Sequence, residues 1–383
     1  MHPLDDSLVA VKIHDLARGG SGVAKLETGE VVFIPYTAVG DEARIRIIKK
    51  TKNYSQGELI ELIRPSPLRI PAPCPIFTEC GGCDWQHLPY DLQFETKKKG
   101  LLHTLKRAGV AVDTIPLDEM PATETYGYRN RIQLRGNAKE KTFGFHSKAT
   151  NQIVSLERAN DRCLISDERI NQAIPAIRAE AFKNFGNSAT PEFKVEIEVT
   201  DDLKVRHAFN ERHGAFGFKQ VNDQQNAKLQ QWVADHAGSR GLLLDLYGGF
   251  GNLSIPLISR FDRIQCVDLS VPTQRPKGLP LNFEFFRSDV PNWLKKQRST
   301  PPQKTTVILD PPREGLGSSF PVVEMALTEY FSPETVILVG CDVDSFAKDT
   351  QRFIERGYTL QKLAILDLFP QTIHVESLAL FTK

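Results

Sequence analysis

Apolar and polar positions alternate in short runs at the start of the chain. Leu8–Ile13 alternates, Arg18-Gly19-Gly20-Ser21-Gly22 is a turn cluster and Glu30–Ile34 is a second apolar run. Glu42–Ile48 alternates through Ala43, Ile45 and Ile47, and Gly57–Ile63 makes a fourth run. A period of two broken by glycine turns predicts strands, and several in so short a stretch predict a small barrel of the oligonucleotide-binding kind. The pattern stops at Pro65-Ser66-Pro67-Leu68-Arg69-Ile70-Pro71-Ala72-Pro73, a stiff joint. Leu92–Ala108 then reads as a helix, and residues 126–210 as strands around a short helix near 167–184. From about residue 216 strands and helices alternate. Asn222–Ala237 is helical, Leu242–Leu246 is a buried strand, and a helix is expected from near Leu253. Arg263–Asp268, Thr306–Leu309 and Thr335–Val339 are further strands. Strands separated by helices predict a parallel, doubly wound sheet, hence an α/β fold class. Three domains are expected: residues 1–66 as the barrel, 67–212 as a central α+β domain with a linking helix over 91–109, and 213–383 as the doubly wound domain.

Composition narrows the function classes. At 40% hydrophobic and 25% charged residues over a length of 383, the chain is ordinary globular protein. Lys+Arg of 48 against Asp+Glu of 47 excludes a protein that is basic throughout, so any nucleic-acid contact must come from local placement. Arg44, Arg46, Lys49, Lys50 and Lys52 form such a local run, which fits either a nucleic-acid face or a charged strand edge. No apolar stretch is long enough to span a bilayer, and MHPLDDSLVA lacks the form of a secretory leader. A cytoplasmic protein with no membrane contact is expected, with monomer as the default state.

Reduced cysteines in such a compartment point away from disulfides. Cys74, Cys80 and Cys83 lie close together, Cys163 lies far downstream, and Cys266 and Cys341 stand alone. Four thiolates suit an iron–sulfur cluster, which can recruit one ligand from a distant loop. Structural zinc takes the same number of thiolates, and buried free thiols are the third reading. Gly81-Gly82 lets the backbone wrap tightly around a bulky centre.

Candidate chemistry gathers in the last domain. Leu242–Leu246 runs into Tyr247-Gly248-Gly249-Phe250-Gly251-Asn252, a glycine turn that admits a ligand to the backbone. Ser254 stands where a dinucleotide fingerprint needs its third glycine. Asp268 ends the next strand, where ribose hydroxyls bind, and Asp289 follows FEFFRS, where an adenine edge would lie. Together they suit S-adenosylmethionine better than NAD. Asp310-Pro311-Pro312-Arg313 closes one strand and Gly340-Cys341-Asp342 the next. Cys341 is either a nucleophile in need of activation or an inert core thiol. His374 and Glu376 follow in a turn leading to a strand and could supply a base.

The segments CGGCDWQHLPYDLQ, YRNRIQL, FGFKQVNDQQN, DLYGGFGNLS, LDPPREG, VGCDVDSFAKD and FPQTIHVESLALF occur in the order found in the RNA (uracil-5-)-methyltransferases. The chain resembles that family over essentially its whole length, and most closely the 23S ribosomal RNA branch, which carries an N-terminal TRAM domain and the cysteine cluster. The resemblance implies a Rossmann-like class I methyltransferase domain over 213–383, an iron–sulfur and RNA-binding domain over 67–212, and a 4Fe-4S centre on Cys74, Cys80, Cys83 and Cys163. It implies 23S ribosomal RNA as partner, Cys341 as nucleophile and Glu376 as base. Gln220, Tyr247, Asn252, Asp268, Asp289 and Asp310 match S-adenosylmethionine positions. Asp310 would also hydrogen-bond the uracil edge, Phe218 would stack on the flipped base, and Arg129 and Arg131 would hold RNA phosphate. Three departures stand out. The segment LSVPTQRPKGLPLN after Asp268 is short and Pro-rich where the family has a helix covering the cofactor. The nucleophile loop reads Cys-Asp-Val in place of Cys-Asn-Pro, and Gly248 replaces a small cysteine. The alternatives are the same chemistry on transfer RNA, against which the barrel and the cysteine cluster argue, and a non-catalytic iron–sulfur RNA-binding protein.

Overall fold

The computed structural model describes residues 8–148, 150–211, 216–217, 219–272, 274–297 and 304–383. The chain forms two compact units. One comprises Met1–Gly100, Thr123–Ala215 and Phe369–Ile373; the other comprises Leu101–Ala122, Phe216–Leu368 and His374–Lys383.

The first unit holds two sheets. Six strands lie in the order Val9–Lys12, Glu42–Lys50, Ser55–Arg64, Val31–Ile34, Gly22–Lys25 and Asp15–Leu16. Glu42–Lys50 buries Ala43, Ile45 and Ile47 against Ile13, Val32 and Ile34, and turns Arg44 and Arg46 outward. This is the period of two expected of a strand with one wet face. The neighbouring strand supplies the acids missing from the basic run itself: Arg44 pairs with Glu61 at 2.6 Å and Arg46 with Glu58 at 3.7 Å. The second sheet is antiparallel throughout, in the order Ile153–Ser155, Thr142–His146, Arg131–Asn137, Glu192–Val199 and Val205–Phe209. Helix Glu168–Phe185 starts at Asp167, whose carboxylate accepts from the Arg169 amide, and buries Ile170, Ile174, Ile177 and Ala181. That spacing gives one apolar stripe, and Phe182 joins a ring cluster with Phe143 and Phe193.

The second unit is built on one eight-stranded sheet. Its order is Phe283–Arg287, Arg263–Asp268, Leu242–Leu246, Thr305–Leu309, Thr335–Gly340, Glu376–Thr382, Thr359–Leu366 and Leu117–Met120. The first five run parallel, and Glu376–Thr382 lies antiparallel to both of its neighbours. Leu242–Leu246 and Thr305–Leu309 are buried at every position, the signature of central parallel strands covered on both faces. Three strands were not read from the sequence: Phe283–Arg287, Thr359–Leu366, and Leu117–Met120, the last of which pairs in parallel with Leu363–Leu366 at the sheet edge. The helix expected from Leu253 is a single 3-10 turn, Ile255–Leu257. Pro256 lacks the amide that continued helix needs, and Arg263 already starts the next strand. Among the described residues no helix is long and apolar enough to cross a membrane.

Register fixes what the sheet presents. Leu246 is level with Val267 and with Leu309, and Leu309 with Leu338. Tyr247, Asp268, Asp310 and Cys341 therefore all leave the carboxyl ends of parallel strands along one rim, where such sheets bind ligands.

Candidate active site

Cys341 directly follows Gly340, which is level with Ser377 on the antiparallel neighbour. Glu376 directly precedes Ser377 and is itself level with Leu366 on its other side. Continued by one residue, the ladder sets Cys341 opposite Glu376. Asp342 caps helix Val343–Glu355, its carboxylate accepting from the Asp344 and Ser345 amides at 3.1 and 3.0 Å. Aspartate and asparagine cap about equally well, so the departure from Cys-Asn-Pro keeps the turn that aims the thiol.

The charges around the half-buried Cys341 are mostly negative. Burial pushes its thiol up to about 11, the Glu376 and Asp310 carboxylates add to this, and the Arg313 guanidinium opposes it. Glu376 is buried, at 5% exposure, and its pKa lies well above the usual carboxylate range for the same reason, with Asp310 adding and Arg313 opposing. Burial lifts Asp310 to about 7, helped by Asp245 and Asp268. At rest the thiol is protonated, and burial has raised the basicity of the two carboxyls beside it. Arg313 is the cation in this acidic group, and it belongs to the site although the sequence reading gave it no role. Its signal was its place directly after Asp310-Pro311-Pro312.

The glycine turn lies beside this group on the rim. Tyr247 has φ of 65° and Gly249 of 55°, and a Cβ on Gly249 would meet nothing within 4 Å. The turn is open there, and its left-handed backbone favours glycine. The Gly249 amide donates to Asp268 at 3.2 Å and the Ser270 amide to the other oxygen at 2.6 Å, so Asp268 is oriented by backbone. Asp289 caps the short helix Val290–Lys295 by accepting from the Asn292 amide at 3.2 Å. The Tyr247 phenol is pushed up to about 12 by burial, against a hydrogen bond with Ser319, and further by Asp289, Asp349 and Asp268. Asn252 exchanges a side-chain hydrogen bond with Asn226 at 2.9 Å and accepts from Gln230. Together with Gln220, Gln230 and Phe250 it lines a cavity of about 260 Å³. Beneath the turn, Asp245 is fully buried and accepts the Ser254 hydroxyl. A Cβ at Gly248 would come within 2.4 Å of that carboxylate, so any side chain here requires Asp245 to shift.

The four spaced cysteines also meet. Cys74, Cys80, Cys83 and Cys163 are free thiols lining one cavity of about 200 Å³ in the first unit. Burial raises Cys80 to about 11, with Cys163 and Cys74 adding to it. Cys83 is raised further, again by burial first. Among the described residues no three His, Cys, Asp or Glu side chains close around the position of a single metal ion. The loop is stitched to the five-stranded sheet where the Gly81 amide donates to His146 O at 2.9 Å. A Cβ on Gly81 would press to 3.0 Å on that same oxygen.

Three expected RNA contacts fare differently. Arg131 is taken up by internal partners, Glu196 at 3.3 Å and Glu198, so a phosphate would have to displace two carboxylates that are themselves almost fully buried. Arg129 donates from Nε to Arg131 O at 2.9 Å and lines the thiol cavity. Phe218 lies outside the described residues.

Comparison with known proteins accords with this layout. The TRAM domain family matches residues 7–60, and the tRNA (Uracil-5-)-methyltransferase family matches residues 192–275. An uncharacterized RNA methyltransferase of Bdellovibrio bacteriovorus is 32% identical over 391 aligned residues, covering 98% of this chain and 95% of that protein. The 23S rRNA (uracil(1939)-C(5))-methyltransferase RlmD of Vibrio parahaemolyticus is 27% identical and covers 98% and 96%. Among solved structures, the tRNA (uracil-54, C5)-methyltransferase of Pyrococcus abyssi, in complex with S-adenosyl-L-homocysteine, shares the fold with a TM-score of 0.72. It is 21% identical, covering 97% of this chain and 99% of that one.

Proposed function

Because the chain belongs to the RNA (uracil-5-)-methyltransferase family, we propose that it methylates carbon 5 of a uridine in 23S ribosomal RNA, with Cys341 as nucleophile and Glu376 as base. The observation that carries this reading is the strand register that brings a thiol, two elevated carboxyls and one guanidinium to the end of the sheet. The choice of ribosomal RNA is supported by full-length likeness to the Vibrio enzyme and by the TRAM match.

Carbon 5 of uracil is a weak nucleophile. The Cys341 thiol gives its proton to the Asp310 carboxylate, leaving Glu376 unprotonated for the later step, and the thiolate bonds to carbon 6, turning the ring into an enolate with electron density at carbon 5. S-adenosylmethionine, when bound, supplies the electrophilic methyl group. The Glu376 carboxylate then removes the carbon-5 proton, the carbon 6–sulfur bond breaks, and the thiolate leaves with its electron pair. Asp310, poised near pH 7, can donate or accept at the uracil edge. The target base must first leave its stack, which costs about a few kcal/mol.

Gln220 and Asn252 at the turn cavity, with Tyr247, Asp268 and Asp289 along the rim, are the residues that would hold the cofactor. The short segment after Asp268 leaves more of that work to the turn.

The donor set of the first unit fits a 4Fe-4S cluster on Cys74, Cys80, Cys83 and Cys163. The support for this reading is that all four thiols line one cavity of about 200 Å³; structural zinc, which also takes four thiolates, is the alternative. A cluster held by these residues would order the loop that carries Cys83.

The test is transfer of labelled methyl to 23S ribosomal RNA fragments and to transfer RNA. Cys341→Ala abolishes transfer and any denaturant-stable protein–RNA adduct. Glu376→Gln lets the methylated adduct build up. Methylation that survives Cys341→Ala sinks the mechanism, and transfer to transfer RNA alone moves the substrate. Iron and sulfide in the purified protein support the cluster; zinc in their place overturns it.

A further inference from the structure

The segment just before Glu376 is irregular, yet its backbone groups are taken up by the loop that carries Cys83, by the helix Tyr90–Arg107 that follows it and by Tyr128. The Asp84 and Trp85 amides both donate to Gln371 O, at 2.8 and 3.1 Å. The Asp84 carboxylate accepts the Ile373 amide at 3.1 Å and is paired with Lys148. Gln93 grips Gln371 both ways: its Nε2 donates to the Gln371 side-chain oxygen at 3.0 Å, and its Oε1 accepts the Gln371 amide at 3.1 Å. The Tyr128 hydroxyl donates to Pro370 O at 3.0 Å, and the buried Lys97 ammonium to Phe369 O at 3.1 Å. Gln371 has φ of 69°, a left-handed conformation that a residue with a Cβ adopts at a cost of about 1–3 kcal/mol unless its surroundings impose it. Here the surroundings are hydrogen bonds from one side. Phe369–Ile373 accordingly groups with the first unit, while Leu366 and Glu376 at its two ends are strand residues of the second.

We propose that Asp84 and Gln93 are positioning residues for the base: they fix the Phe369–Ile373 strap from which the chain enters the strand that opens with Glu376. The inference rests on the reading of Glu376 given above. The loop beside Cys83 thereby governs one step of the reaction, the removal of the carbon-5 proton that precedes release of Cys341. Loosening the strap slows that step more than the earlier addition of the thiolate. The methylated RNA then stays bonded to Cys341, with its carbon-5 proton in place and its carbon 6–sulfur bond intact.

The experiment uses the full chain and compares Asp84→Ala, Asp84→Asn and Gln93→Ala with wild type. Asp84→Ala and Gln93→Ala release product several-fold more slowly, bind S-adenosylhomocysteine unchanged, and accumulate more denaturant-stable adduct carrying the methyl group. Asp84→Asn, whose amide oxygen can still accept from Ile373, recovers part of the rate. A general loss of structure would instead lower adduct and product together, and that result overturns the proposal. Hydrogen exchange reads the strap directly, because the Gln371 and Ile373 amides should lose about 3–10-fold of their protection in the alanine variants, the worth of one hydrogen bond. Unchanged exchange at 369–373 also overturns the proposal, whatever the activity. If wild type methylates neither RNA, the functional reading fails while the exchange measurement still decides the strap.

Discussion

Cys341 should be a sluggish thiol in the free protein, and the size of the effect follows from its surroundings. A thiol at about 11 is roughly one part in a thousand thiolate at pH 8, whereas an unperturbed thiol near 8.5 is about one quarter ionised. The reactive form is therefore about 200-fold scarcer. A more basic thiolate is also the better nucleophile, and a Brønsted slope of about 0.4–0.5 returns roughly tenfold of that. Attack on a small aromatic disulfide at pH 8 is expected about 20-fold more slowly than by a free thiol, followed peptide by peptide so that Cys266 and the four clustered cysteines do not interfere. The sign of the pH dependence is fixed: the rate climbs about tenfold per pH unit from 7 to 10 without levelling off. Arg313→Ala removes the cation that opposes the shift and slows the reaction further. Glu376→Gln removes a carboxyl that helps to raise the thiol and speeds it. A rate that levels off below pH 9 would refute the electrostatic account of the site, and with it the idea that a carboxylate must take the thiol proton once RNA is bound.

Three other outcomes are expected. Gln220→Ala should weaken S-adenosylhomocysteine binding about 3–10-fold by calorimetry, the value of one hydrogen bond at the turn cavity. Arg131→Ala should destabilise the fold by about 2–4 kcal/mol in urea melts, because Glu196 and Glu198 lose a buried counter-charge; a change below 0.5 kcal/mol, on the order of a typical exposed-pair loss, would mean the pairing matters little. Asp245 is raised to about 6 by burial, so the folded state binds its proton more tightly than the unfolded chain does. Its contribution is favourable below about pH 4 and is lost as pH rises through 6. Relative to wild type, Asp245→Asn should gain about 3 kcal/mol between pH 4 and pH 7.5, and an unchanged difference across that range contradicts the assignment.

The parts of the fold that were legible are those where one local rule decides. The Glu42–Lys50 strand follows its alternation, and Leu242–Leu246 and Thr335–Gly340 follow their apolar runs, the first interrupted only by Asp245. Cys341 and Glu376 were readable as rim residues because each sits where such a run meets a turn. Local rules failed where partners come from elsewhere in the chain. LDEM at 117–120 is a strand only because Leu363–Leu366 offers it an edge. Arg131 looked like a free phosphate ligand because Glu196 and Glu198 are distant in sequence and adjacent only across the sheet. The basic run was read without Glu58 and Glu61 for the same reason. Asp245 went unread since nothing in an otherwise apolar strand says which way a lone carboxylate points.

The chain path also bears on how this protein can be made. Domains usually fold as they emerge from the ribosome, the earliest first. Here the first unit lacks Phe369–Ile373 until most of the second unit has been translated, so its Cys83 loop must wait, with Gln93 and the Asp84 amide exposed to water, for a residue 278 positions beyond Gln93. Leu117–Met120 waits in the opposite sense, translated early as an unpaired ribbon until Thr359–Leu366 appears. Neither half matures alone, and a ribosome stalled before codon 369 would hold a nascent chain with both sites unfinished.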